Sequence, residues 1–268
     1  MPNPSIFTSV INSYLPEPHA SLLNGIIFGI SLKTSKIFFQ ELKIVGLLHL
    51  VVLSGINITL LAAIIGSLTS FFSKRVSILL TILTIILFIL FVGPQAPIVR
   101  AGIMGILTLV AILYGRKTAA LYALFLSGFF ILIFWPSWIK TVSFQLSFAA
   151  TFGIIIFGKT SVSKSESIQG KIFSSLKNDL RTSLAAQIFT APIIFIYFKQ
   201  VSFVSPLANL LVSFLVSPLM IFGFLTAILG KISFWLGLPS ALISFGLLQY
   251  MVFIIKTLAH IPFAFQQF

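Results

Sequence analysis

The sequence predicts an all-α fold, a polytopic bundle of transmembrane helices, and three observations support this. Hydrophobic residues make up 58% of the 268 positions, charged residues only 8%, and the mean hydropathy is +1.14. A soluble domain carries about a quarter of its residues as charged side chains. Apolar runs of about 18 residues or more recur, the length that spans a hydrocarbon core. These runs are continuous rather than alternating, which disfavours a transmembrane β-barrel.

About eight segments are long and apolar enough to be predicted spans. Residues 21–32, SLLNGIIFGISL, are too short to cross and predict an interfacial or re-entrant helix within an N-terminal segment, 1–43. The remaining chain, 44–268, is predicted to form one membrane domain, with 159–181 as its polar cytoplasmic loop. The predicted spans are roughly 44–69, 77–93, 97–114, 118–135, 142–158, 182–198, 203–229 and 233–255.

The distribution of Lys and Arg between the loops predicts an orientation. Cytoplasmic loops of membrane proteins accumulate Lys and Arg. If Lys74 and Arg75 lie in the cytoplasm, alternation of eight spans also places Lys231 there, and leaves Lys36 and Lys43 outside. Both chain ends are then expected outside. Most of the formal charge of +13 is explained in this way, without nucleic acid.

Several polar side chains fall inside the predicted spans, where lipid offers them no hydrogen-bonding partner. They are therefore expected to face the bundle interior or a water-filled cavity. For the Ser and Thr side chains, packing between helices is the favoured explanation. The candidates for a hydrated path are His49, Ser54, Asn57, Arg100, Gln145, Ser147, Gln187 and Asn209.

Arg100 stands out because a guanidinium stays protonated in proteins and must find an acceptor. No acid is predicted within the neighbouring spans. Two interpretations remain open at this point. Glu41, just outside the first span, is the nearest plausible countercharge, and an anionic ligand is the alternative.

Enzymatic and metal chemistry find little support. Ser54 in LSG is similar to the nucleophile motif of intramembrane serine proteases, but Val52 replaces its first glycine. His49 would point about 140° away from Ser54 on a regular helix and could not act as its base. Three isolated histidines, four scattered acids and no cysteine match no metal-ligand spacing. We expect no enzyme, no metal and no cofactor.

Several stretches, in this order, resemble the membrane core of the ComEC family, the channels through which competent bacteria take up DNA. GLLHLVVLSGINI (46–58) is similar to that family's Gly, then His-Leu-Leu-x-x-Ser-Gly-Leu-His segment. PIVRAGIM (97–104) is similar to its Pro-x-x-Arg-Ala-x-x-Met, and SFQLSFAATFGI (143–154) to its Phe-Gln-Leu-Ser-Phe run. The Gln, Pro and Asn-to-Pro pattern of 185–218 completes a resemblance that covers about 45–218.

The resemblance implies a channel for single-stranded DNA in the bacterial plasma membrane, lined by the polar residues above. It also implies interaction with other competence proteins: a DNA receptor, a cytoplasmic ATPase, and separately encoded nuclease or DNA-binding domains. Asn57 departs from the family, which commonly has histidine there, and an amide side chain does not titrate. Alternatives are a small-solute transporter, a non-transporting scaffold, and the disfavoured serine hydrolase at Ser54.

Overall fold

The computed structural model describes residues 4–30, 32–48, 55–116, 119–158, 168–198, 200–202, 204–261 and 265–267. A short 3₁₀ helix spans Pro136–Lys140, and two three-residue strands pair antiparallel, Gln200–Ser202 (β1) with Phe265–Gln267 (β2). The α-helices are α1 (Ser5–Tyr14), α2 (His19–Phe28), α3 (Lys36–Val45), α4 (Gly55–Leu68), α5 (Lys74–Val92), α6 (Ala96–Leu113), α7 (Ala120–Phe134), α8 (Val142–Phe157), α9 (Ile168–Phe198), α10 (Ser205–Ile232) and α11 (Phe234–Ala259).

This is an all-α membrane protein, as the sequence predicts. Within the described ranges, five helices contain an apolar stretch long enough to cross a membrane: α5, α6, α9, α10 and α11. Shorter apolar helices of 10–17 residues are α2, α7, α8 and most of α4. The expected number of spans therefore includes segments too short to cross as straight helices.

The main core lies where the α10–α11 hairpin packs against the first three helices. The Thr226 hydroxyl donates a hydrogen bond to Ser240 Oγ at 3.0 Å, which stabilises the antiparallel hairpin near its turn. All ten residues of α2 are buried, and the side chains of Leu23 and Ile27 fill the space beside Gly223 of α10. The short helix expected at 21–32 thus lies inside the bundle, which fits the re-entrant alternative.

A second, smaller core joins α4, α5 and α6. It consists of Ile58, Ile85, Phe88 and Ile98, all nearly inaccessible to solvent. Phe224 of α10 packs against Phe88, with 6.2 Å between ring centroids, and so connects the two cores.

α5 and α10 run in the same direction. Phe91, in the last turn of α5, contacts Phe7 of α1, and Lys231, in the last turn of α10, lies with Nζ 5.9 Å from the ring of Phe7. Since α5 is about 28 Å long, Lys231 lies near the end of the bundle opposite to Lys74. Gly46, beside Ser205 at the start of α10, lies at the same end as Lys74.

We call the end that carries Lys74 the basic end. Helix directions place Lys140 and Lys231 at the opposite end. The same helix directions place eight of the described cations at the basic end: Lys36, Lys43, Lys74, Arg75, Arg116, Lys177, Arg181 and Lys256.

Two parts of the predicted topology are wrong for this reason. Lys231 was expected on the same side as Lys74, and Lys36 and Lys43 on the other, and the packing of α10 reverses both. Residues 44–69 were expected to cross as one span. Gly46 and Leu68 instead lie at the same end, while Asn57 lies deep between them. Alternation fails here because the described residues near both ends of this apolar run lie at the same end of the bundle.

Local chemistry explains where several helices begin and end. Ser35 and Thr141 accept hydrogen bonds from the backbone N–H groups of Phe38 and Phe144, which caps the starts of α3 and α8. Gly46 ends α3 with a φ of 75°, a conformation that favours glycine. A Cβ there would also lie 2.7 Å from Ser205 Oγ, so only glycine allows this approach.

Candidate functional site

Arg100 is the most unusual polar residue of the described bundle. It lies in the second turn of α6 and is only 7% exposed. Its Nη1 donates to the backbone carbonyl of Ser147 on α8, 3.1 Å away. Its Nε is buried and has no hydrogen-bond partner among the described residues. A buried guanidinium with five N–H donors is thus only partly satisfied.

Gly55, the first described residue of α4, makes room for this guanidinium. A Cβ built at Gly55 would lie 3.0 Å from Arg100 Nη2 and 3.4 Å from the Cβ of Ala101. The start of α4 therefore touches the charged group directly. A side chain at this position would have to displace the guanidinium or the helix.

Glu41 is not the countercharge of Arg100, so that interpretation is corrected. Glu41 belongs to α3 at the basic end, where it lines a cavity with Glu17 and Lys256. Arg100 lies toward the opposite end, because it follows the start of α6 by one turn. The sequence has no acid between Glu41 and Glu166, so the three helices around Arg100 carry none.

Asn57 holds two helices together inside the bundle. It is 1% exposed, and its Nδ2 donates to the carbonyl of Ile26 at 2.6 Å. Ile26 lies in the last turn of α2, where carbonyls have no partner within their own helix. Asn57 therefore caps the C-terminal end of α2, which no signal in the sequence indicates.

The three other amides each donate to a separate partner. Gln145 Nε2 donates to the carbonyl of Ile139, 3.4 Å away, and the Nδ2 of Asn209 donates to Ser183 Oγ on α9 at 3.1 Å. Gln187 Nε2 donates to the Ser202 carbonyl of β1 at 3.1 Å. These bonds join neighbouring elements, and the Asn209 contact connects α10 to α9.

Of the predicted path residues, the structure brings together Arg100 and Ser147. Ser147 acts through its backbone carbonyl, which also accepts from the Thr151 hydroxyl at 2.9 Å. His49 and Ser54 lie outside the described residues. Whether any of the eight lines a hydrated path stays a prediction.

Two cavities at the basic end are lined by described residues. One of about 400 Å³ lies between α4, α5 and α6 around Lys74. The other, of about 260 Å³, is the one around Glu17, Glu41 and Lys256. Neither is lined by Arg100, so α6 and α8 enclose the guanidinium in this conformation.

The sequence did not identify Gly55 or the Ser147 carbonyl as neighbours of Arg100. A carbonyl carries no residue-specific signal, because every residue has one. Gly55 follows Ser54 in the LSG stretch, but only the packing of α4 against α6 shows what its missing side chain permits.

Comparisons with known proteins give one family and two curated relatives. Residues 26–268 match the family model described as Competence protein. The chain is 28% identical over 206 residues to ComE operon protein 3 of Bacillus subtilis (strain 168), covering 76% of the chain and 25% of the relative. It is 31% identical over 209 residues to an uncharacterized protein of Aquifex aeolicus (strain VF5), covering 78% and 46%. No solved structure matches.

Proposed function

The chain belongs to the Competence protein family, and from that membership we propose that it forms a channel for single-stranded DNA. The family resemblance carried by residues 45–218 is thereby confirmed. The chain spans about a quarter of the Bacillus relative and about half of the Aquifex relative, so their whole activity is part of the proposal. The cargo is DNA taken up during natural transformation, and no catalytic step is assigned to this chain.

Arg100 is the observation that carries the proposal. A charge buried inside a membrane bundle is costly and marks an ion or substrate pathway by default. Among the described residues, the guanidinium has one carbonyl acceptor and no partner for its Nε, and the sequence has no carboxylate on the surrounding helices. A passing phosphate supplies the missing acceptor, since guanidinium and phosphate form strong charge-assisted hydrogen bonds.

The rest of the bundle suits a polyanion. A nucleic-acid strand carries one negative charge per nucleotide, and fixed carboxylates along its path would repel it. None occurs between residues 42 and 165. Because α6 and α8 enclose Arg100, the strand passes only when these helices separate at the bond between Arg100 and the Ser147 carbonyl.

The basic end faces the cytoplasm in this proposal, by the rule that cytoplasmic loops carry the excess of Lys and Arg. Arg100 then lies near the outer end, where an incoming strand meets it first. The membrane is the bacterial plasma membrane, and the partners are other competence proteins such as a DNA receptor and a cytoplasmic ATPase.

Replacement of Arg100 tests the function directly. We expect Arg100→Gln to abolish uptake of labelled DNA in cells that carry only this copy, without reducing the amount of protein in the membrane. Gln keeps hydrogen-bond donors but removes the charge. Arg116→Gln is the matched control, because Arg116 is an exposed cation at the basic end and should leave uptake unchanged.

Two outcomes contradict the role of Arg100. Persistent uptake by Arg100→Gln shows that the guanidinium does not contact the strand. Loss of the folded protein from the membrane shows that it stabilises the bundle instead. If the unchanged protein takes up a small solute and does not take up DNA, the proposed cargo is wrong.

A further inference from the structure

We propose that the cavity of about 400 Å³ between α4, α5 and α6 binds the headgroup and upper acyl chain of an anionic phospholipid. We call it the Lys74 cavity. It is separate from Arg100 and does not depend on transport of DNA. Its lining residues are Ala62, Gly66, Ser70, Phe72, Lys74, Ser77, Ile78, Thr81, Leu109 and Ile112.

The polarity of the Lys74 cavity changes with depth. Along α5, Lys74 at the basic end is followed by Ser77, and one residue further inward by Ile78. Opposite them, Ser70 lies near the end, two residues beyond α4, and Ala62 of α4 lies about two turns deeper. A phospholipid has the same order, with its charged phosphate at the membrane surface and its chain running inward.

The hydroxyl groups of Ser77 and Thr81 are already engaged, so Lys74 and Ser70 are the side-chain donors that the wall offers a phosphate. Thr69 donates its hydroxyl to the Ile65 carbonyl at 2.6 Å, so Ser77 donates to Thr69 Oγ1 at 2.7 Å. The Thr81 hydroxyl donates to the Ser77 carbonyl at 2.8 Å. The Thr81 hydroxyl therefore leaves no unbonded polar hydrogen in the deeper wall, where the acyl chain would lie.

The charge around the mouth matches an anion and not a cation. Lys74 lines the cavity, and Arg116 lies at the same end just beyond α6. No acid occurs in the sequence from α4 to α6 to neutralise them.

The rim of the Lys74 cavity favours a lipid over a free phosphate. Leu68 is 63% exposed and Phe71 77% exposed beside the mouth, and the rings of Phe71 and Phe72 lie 4.2 Å apart. Exposed aromatic and aliphatic side chains next to Lys and Arg are typical of the headgroup region of a membrane. A soluble phosphate would need no such rim.

Lipid binding to the purified full chain tests this occupant. Native mass spectrometry in detergent measures retained phosphatidylglycerol against phosphatidylcholine, and thermal unfolding measures the stabilisation by each lipid. We expect selective retention of phosphatidylglycerol, and about fivefold weaker binding for Lys74→Gln, the factor that one Lys contributes near an anionic surface.

Two matched variants sharpen the test. Arg75→Gln removes the adjacent charge, but Arg75 does not line the cavity, so we expect less than a twofold change. Gly66→Leu adds an apolar side chain to the wall without removing a charge, at a position where nothing lies within 4 Å of a Cβ, and should displace the lipid. Unfolding without lipid shows that each variant is folded.

Three results would overturn the proposal. Equal retention of the two lipids removes the requirement for an anionic headgroup. Equal losses for Lys74→Gln and Arg75→Gln indicate a diffuse surface attraction in place of this cavity. Stabilisation by inorganic phosphate that disappears in Lys74→Gln assigns the cavity to a soluble phosphate.

Discussion

The guanidinium of Arg100 and the missing side chain of Gly55 form one local arrangement. The charged group fits between α4, α6 and α8 because residue 55 contributes only backbone. Its acceptor is a backbone carbonyl, so the identity of the side chain at Ser147 is secondary to the position of α8. The position of the charge therefore depends on helix packing more than on the polar side chains nearby.

Replacement of Gly55 tests this arrangement. We expect Gly55→Ala to reduce DNA uptake, because the new Cβ would lie 3.0 Å from Arg100 Nη2 and push the guanidinium off the Ser147 carbonyl. Nη2 is the far end of a flexible side chain and can give by a few tenths of an ångström, so we expect a smaller effect on the free energy of unfolding than on uptake. Uptake of labelled DNA and the midpoint of thermal unfolding are the measurements.

Gly105→Ala is the matched control for this prediction. It adds the same methyl group to α6, but the nearest atoms, on Ile58 and Ile85, lie 3.9 Å away. Its uptake should equal that of the unchanged protein. Equal effects of the two variants would mean that Gly55 has no specific relation to Arg100.

At the scale of helices, α2 and α4 depend on each other. α2 is buried over all ten residues, so its terminal carbonyls have no water to bond. Gly29 closes the last turn, and its N–H donates to the Gly25 carbonyl at 2.9 Å. Asn57 supplies a side-chain donor to Ile26 from α4. A helix that ends inside a membrane is tolerated only when its neighbours satisfy its backbone.

Loss of this donor should loosen the pair of helices. We expect Asn57→Leu to lower the free energy of unfolding by about 1–3 kcal/mol, the cost of a buried carbonyl without a partner. The midpoint of thermal unfolding in detergent measures the change. Thr59→Val serves as the control, since its hydroxyl bonds only to the Gly55 carbonyl of its own helix. Equal midpoints for the two variants would show that Asn57 does not cap α2.

For the whole molecule, composition was sufficient to predict an all-α membrane bundle, because burial of apolar runs in lipid requires helices. Arg100 was recognisable as a candidate site residue because its charge is costly in any membrane segment. Its acceptor was not, since the Ser147 carbonyl lies 47 positions away along the chain and has no signature. Glu41 was a plausible partner only while the relative direction of the helices was unknown.

The direction of helices was the least predictable feature. Alternation assumes that every long apolar run crosses once, but Gly46 and Leu68, near the two ends of the run at 44–69, lie at the same end of the bundle. Gly46 packs on Ser205 at one end, and Asn57 reaches Ile26 deep in the bundle. Both contacts join residues far apart in sequence, so neither hydropathy nor charge counting could locate them.

Cysteine labelling of intact cells distinguishes the two topologies, and the absence of natural cysteine makes each introduced one unique. The structure places Gln40 and Ser73 at the basic end, and Ser137 and Ser233 at the opposite end. We expect a membrane-impermeant maleimide to label Ser137→Cys and Ser233→Cys alone, and all four variants after permeabilisation. Eight alternating spans would instead place Gln40 and Ser137 on one side of the membrane, and Ser73 and Ser233 on the other. Ser233 and Ser73 lie at opposite ends in the structure, but on the same side in the topology of eight alternating spans. Labelling of both Ser233→Cys and Ser73→Cys in intact cells would therefore refute the parallel arrangement of α5 and α10.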